Sequence, residues 1–116
     1  QVQFYDVKNT GSAIRYSEAY QPINGTNANF VEKLDDQTLF VRTYERGVED
    51  ETYSCGTGVV AASLAFAAKS GQILDHVNIQ TPGGELQVRF QPSGYGYHNI
   101  YLIGPAVMVY EGDVEV

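Results

Sequence analysis

The sequence predicts an α+β domain, a mostly antiparallel or mixed sheet curled into a barrel around one central apolar helix. Three observations predict it. The stretch Gly56 to Ser70, GTGVVAASLAFAAKS, has no polar face, and a helix apolar all round belongs in the interior. Runs with period-two alternation lie on both sides of it, as strands require. A Pro-Gly-Gly turn joins two of those runs into a hairpin. The 116 residues amount to one domain, large enough to bury a core without disulfides or metals.

The elements follow in order. Val2 to Val7 reads as a strand already under way. With no initiator Met ahead of it, the expectation is a fragment of a longer chain. Asn9-Thr10-Gly11-Ser12 reads as a polar loop, and Gln21 to Thr26 as a second loop. Asn27 to Lys33 is a strand carrying Phe30 and Val31, closed by a turn at Asp35-Asp36. Thr38 to Glu45 is the clearest early strand. Leu39, Val41 and Thr43 share one face, and Phe40, Arg42 and Tyr44 share the other. Arg42 turns its face outward in this reading, and parity places Glu45 on the inner side. The helix over Gly56 to Ser70 ends before Gly71, a residue suited to a left-handed cap, and Lys69 suits the negative end of its dipole. Val77, Ile79 and Thr81 form the next strand. Pro82-Gly83-Gly84 turns the chain, and Leu86, Val88 and Phe90 return it. A Gly- and Tyr-rich loop spans Ser93 to His98. Ile100 to Ile103 is a strand, Gly104-Pro105 breaks it, and Ala106 to Tyr110 is expected as the last strand.

Charge and cysteine content narrow the function classes. The net charge is −7, with only seven Lys and Arg, scattered along the chain. Nucleic-acid binders need a basic patch to neutralise phosphates, so nucleic acid is excluded as a partner. The single cysteine, Cys55, allows no intramolecular disulfide, which fits a reducing, cytoplasmic setting. The start of the sequence lacks a basic region followed by an apolar run. The apolar stretch from Val59 is too short to span a bilayer.

The chemistry concentrates in Thr43 to Gly58, TYERGVEDETYSCGTG. Cys55 stands directly before the helix. The first N–H groups of a helix have no internal partner and carry its positive dipole end. A thiol there is made more acidic, and a carboxylate can dock on the free N–H groups. Gly56 and Gly58 let a ligand approach the backbone, and Thr57 adds a hydroxyl. A carboxylate held beside a thiolate points to proton abstraction from the adjoining carbon. The alternative for a lone cysteine is a small buried apolar residue. Glu49, Asp50 and Glu51 would raise the thiol pKa if close; the competing reading is a solvated acidic loop. Glu45 and Arg46 supply an acid or base and a carboxylate-matching fork, or else only a surface ion pair. They lie on opposite faces unless the chain bends, as Gly47 would permit. Asn24, Asn27 and Asn29 offer hydrogen bonds to a polar substrate, with turn formation the alternative at Asn24. His76 and His98 have no metal-ligand spacing to Cys55 and read as surface residues, though either could pair with it in a thiol hydrolase. No helix follows Gly83-Gly84, so these are not a phosphate loop.

The run YERGVEDETYSCGTG with its alanine-rich helix resembles the second half of the diaminopimelate epimerase family. VNIQTPGGELQVRF is similar to that family's hairpin, YLIGPAVMVYEGDVEV to its closing strand, and GTNANFV to its substrate loop. The resemblance implies an isomerase that interconverts LL- and meso-diaminopimelate in lysine and cell-wall precursor biosynthesis, without pyridoxal phosphate or metal. It implies two pseudo-symmetric halves, each a barrel-like sheet around a central helix, with substrate between them. Two cysteines then act from opposite faces of the α-carbon, one as thiolate base and one as thiol acid. Cys55 would be one of them and Glu45 would assist. Gly56 and Thr57 would bind the reacting carboxylate, and Arg46 and Asn27 the distal end.

Residues 1–116 would thus be the C-terminal domain, with the N-terminal domain absent from this chain. The family's Asn-x-His segment and the second cysteine are not found. The isolated chain is therefore expected to be inactive, with the missing half as its partner. Pairing of two copies through the surface that half would cover is a further expectation. Rival readings are a proline racemase-like or phenazine-biosynthesis-like relative of the same fold, and a non-catalytic carboxylate-binding or interaction domain.

Overall fold

Alternation along the chain produces six strands in the computed structural model, which describes residues 1–94 and 96–116. They are β1 (Ala28–Asp35), β2 (Thr38–Glu45), β3 (Asp50–Thr52), β4 (His76–Thr81), β5 (Gly84–Ser93) and β6 (Gly96–Ile103). Their order across one mixed sheet is β1-β2-β4-β5-β6, with β3 beside the end of β2. Every pairing is antiparallel except β2 with β4, which run parallel. Parallel neighbours need a long crossover, and helix α2 (Gly56–Ser70) lies on it.

The boundaries of α2, the β2 strand and the turn at Pro82-Gly83 agree with the sequence reading. Gly71 caps α2 at φ 71°, the left-handed conformation that glycine adopts without a steric cost. Val59, Ser63 and Ala67 recur every four residues and are buried, giving the helix one core-facing stripe. Val59 and Ala67 meet Leu39, Val41, Val77, Ile79, Val88 and Phe90 from the sheet. Ser63 is fully buried, and its hydroxyl donates to the Val59 carbonyl at 2.8 Å.

Several expectations are corrected. The sheet is not closed into a barrel: β1 and β6 are its two ends. Consequently α2 is not buried on all sides, and Ala61, Ala65 and Ala68 are exposed. Ala106 to Tyr110 form no strand, and Val107 to Tyr110 are 80–85% exposed, since no neighbouring chain segment bonds to them among the described residues. At the other end, Val2 to Val7 is not a strand and Asn9 to Ser12 is not a loop. A 3-10 turn at Val2–Phe4 leads into helix α1 (Val7–Arg15). The Asp6 side chain caps α1 by accepting from the Asn9 N–H. Val7 and Gly11 fall on its buried face, with Ile14 packed beside them.

That helix changes the reading of β2. Its second face is covered, not outward. Tyr44 is 2% exposed and packs with Val7 and Ala28. A Cβ at Gly11 would collide with Tyr44, so only glycine lets α1 sit this close. Arg42 lies beneath the N-terminal turn. It forms a two-pronged pair with Glu51 at 2.6 and 2.7 Å and donates to the carbonyls of Val2, Gln3 and Tyr5. Further along, Gln91–Ser93 pair with Gly96–His98, so strand pairing continues into the expected 93–98 loop; Tyr95 lies outside the described residues. No helix among the described residues is long and apolar enough to cross a membrane.

Candidate active site

Cys55 is the N-cap residue of α2, with extended backbone at φ −126° and ψ 109°. Its carbonyl accepts from the Val59 N–H at 2.9 Å, which starts the helix. No side chain caps the N–H groups of the first turn, so they stay available to an anion. Cys55 is 7% exposed, yet it belongs to neither apolar cluster of buried residues. Its Sγ lies 3.5 Å from Thr57 Oγ1.

Thr57 opens onto a cleft of about 420 Å³, shared with Asn27, Asn29, Arg46, Gly58 and Ala61. Four elements supply it: the loop before β1, β1 itself, the turn after β2 and the start of α2. The bend anticipated at Gly47 exists, with φ 94°. The strand ends at Glu45, and Arg46, the first residue beyond it, lines the cleft while Glu45 does not. The Arg46 N–H donates to Asn27 Oδ1 at 2.8 Å, and its Nη1 donates to the carbonyls of Ile23 (3.1 Å) and Gly25 (3.4 Å). Arg46 Nε and Nη2 have no protein hydrogen bond among the described residues. The guanidinium therefore keeps donors free for a carboxylate.

The structure thus brings Asn27, Arg46 and Thr57 to one cleft. Cys55 stands against Thr57, with exposed Gly56 between them. Glu45 does not line that cleft; it ends β2, half-buried, opposite Asp50. Gly58 lines the cleft and also makes room for Asn29. A Cβ there would collide with Asn29 Oδ1, which itself accepts from the Thr43 hydroxyl at 2.7 Å. His76 pairs with its neighbour Asp75 at 2.7 Å. No metal-binding cluster occurs among the described residues.

The acidic run is not a solvated loop. Lys8 pairs with Asp50, Arg42 with Glu51 and Arg15 with Glu49. Glu49 is the centre of a network that sequence reasoning missed. Its carboxylate accepts from Tyr16 (2.8 Å), Arg15 Nε (3.0 Å), Tyr44 (3.1 Å) and the Gly47 N–H (3.2 Å). These donors, the Tyr16 hydroxyl first and the Arg15 guanidinium next, hold its pKa down to about 2. The same contact pushes the Tyr16 hydroxyl pKa up. Arg15 and Glu49 are 34 positions apart, so no local spacing signals the pair.

The fold and site define a class: an α+β domain with a thiol at the uncapped N-terminus of its crossover helix, beside a polar cleft. The family model for diaminopimelate epimerase matches residues 1–109. Curated relatives of that name agree. The one from Flavobacterium psychrophilum is 45% identical, over 92% of this chain and 41% of its own length. The Aquifex aeolicus protein is 40% identical, over 96% of this chain and 39% of its own. The Methanocella arvoryzae protein is 43% identical, over 99% and 38%. This chain belongs to the diaminopimelate epimerase family. It spans about two fifths of the length of these relatives, 38–41%.

Proposed function

We propose that residues 1–116 are the C-terminal domain of a cofactor-independent epimerase acting on diaminopimelate, carrying one cysteine of a catalytic pair. The observation that carries the proposal is the position of Cys55. It stands at the uncapped start of α2, against a residue of the cleft that holds Asn27 and Arg46. Substrate docks its reacting carboxylate on the free N–H groups of Gly56 and Thr57. The Cys55 thiolate takes the α-proton, and the electron pair of the broken C–H bond is delocalised into the carboxylate, where the helix N-terminus stabilises it. A second thiol, from the part of the enzyme this chain does not span, returns a proton to the opposite face. In the reverse direction the two thiols exchange roles. Arg46 and Asn27 hold the distal end of the substrate. Glu45, outside the cleft, acts on the site from the end of β2.

The exposed apolar surface supports the half-enzyme reading. Ile100 to Ile103 are 41–62% exposed and the segment after them is more so. Exposed apolar residues concentrated in one stretch of chain are surface that a further body can cover.

Replacing Cys55 tests the proposal. In the whole enzyme, Cys55→Ser should reduce α-proton exchange of diaminopimelate at least ~100-fold, in line with removal of a positioned acid or base. Binding of substrate should persist. Unchanged exchange in that variant would reduce the site to carboxylate binding alone.

A further inference from the structure

Two loops frame the cleft, and each contains left-handed backbone. Asn24 (φ 62°) and Gly25 (φ 89°) lie in the loop before β1; Gly47 (φ 94°) and Glu49 (φ 61°) lie in the turn after β2. Left-handed asparagine and glutamate carry a steric cost that their surroundings must offset. Arg15, at the end of α1, touches both loops. Its Nη1 donates to the Asn24 carbonyl at 3.1 Å, and its Nε donates to Glu49. Nη1 and the Arg15 carbonyl also occupy the space that a Cβ at Gly25 would need. From the other side, Arg46 donates to the Ile23 and Gly25 carbonyls. The loop that leads into Asn27 is therefore clamped between two guanidinium groups. Glu49 anchors the first and fixes the turn that bears the second, through the Gly47 N–H.

We infer that the Arg15–Glu49 pair is the positioning element of the cleft, holding the 23–27 loop and the 46–49 turn so that Arg46 and Asn27 meet the distal end of the substrate. This inference rests on the proposed function for what the cleft holds. Neither residue lines the cleft with Asn27 and Thr57, so both act through Arg46 and the loop. Small misplacements of substrate-holding groups have large effects on rate and binding.

Amide hydrogen exchange on this chain, with kinetics on the whole enzyme, tests the inference. The informative amides are hydrogen-bonded: Asn24 to Gln21, Gly25 to Tyr20, Arg46 to Asn27 and Glu49 to Glu45. In Glu49→Gln these four should exchange ~10-fold faster or more, while α2 and the β4–β5 amides keep their rates, as expected for a local opening. KM for diaminopimelate should rise ~10-fold with kcat changed less than ~3-fold, the mark of lost ground-state holding. Arg15→Lys, which cannot fork between Glu49 and the Asn24 carbonyl, should reproduce both effects and stands in if Glu49→Gln does not fold. Uniform acceleration across all amides, or unchanged loop amides with unchanged KM, would overturn the inference. Cys55→Ser separates the two claims. If that variant retains proton exchange, the catalytic reading falls, and the loop amides still decide the clamp.

Discussion

Strand β2 is covered on both faces, by different means. On one face Leu39 and Val41 meet Val59 and Ala67 of α2 in an apolar core. On the other, Tyr44 packs under α1, and polar anchors do the rest: Arg42 with Glu51, and Arg15 and Tyr16 with Glu49. The first face carries the cysteine-bearing helix and holds the larger apolar cluster. The second fixes the loop and turn that frame the cleft. The fold thus separates what holds the thiol from what holds the far end of the site.

The largest effect should come from the apolar face. Leu39→Ala should cost ~2–5 kcal/mol, because Leu39 is 1% exposed in a core that closes only partly around a cavity. Denaturant unfolding measures it, and a loss comparable with that of a surface substitution would break the contrast. Next comes the close approach on the other face. Gly11→Ala should cost ~1–3 kcal/mol by overpacking, since backbone-proximal Tyr44 atoms occupy the space. A neutral effect would mean that α1 rides loosely.

A pH titration sharpens the polar face. The Glu49 pKa is depressed from 4.5 to about 2 in the folded state. A depressed carboxylate contributes stability that is fully present above the unfolded value and is lost as pH falls through the folded one. The stability gap between the native protein and Glu49→Gln should therefore be constant above pH 4.5 and shrink toward pH 2. A gap that widens on acidification would contradict the network. The smallest effect on stability should be Cys55→Ser, within about 1 kcal/mol by the usual scale for substitutions that open no core cavity, because Cys55 lies outside both apolar clusters.

The apolar face was legible in the sequence because its signals are local. GTGVVAASLAFAAKS followed by Gly71 gives the helix, and the alternation of Leu39, Val41 and Thr43 gives the inner side of β2. The motif around Cys55 identified the family for the same reason. The polar face was not legible. Its organising contacts join Arg15 to Glu49 and Arg42 to Val2, residues 34 and 40 positions apart. Asp6 and the Val7, Gly11, Ile14 spacing did announce α1, but Thr10, Gly11 and Ser12 read more readily as a loop. The open sheet was not legible either, since alternation reports faces and says nothing of closure.

Deuterium exchange at the α-carbon of diaminopimelate, followed with stereochemical inversion in deuterated water under reducing conditions, tests the central claim most directly. It should be run with this chain alone and with the remainder of the enzyme added. One cysteine of a pair predicts exchange with inversion only in the mixture. Inversion by this chain alone, or none in a mixture whose parts are folded and associated, would contradict it.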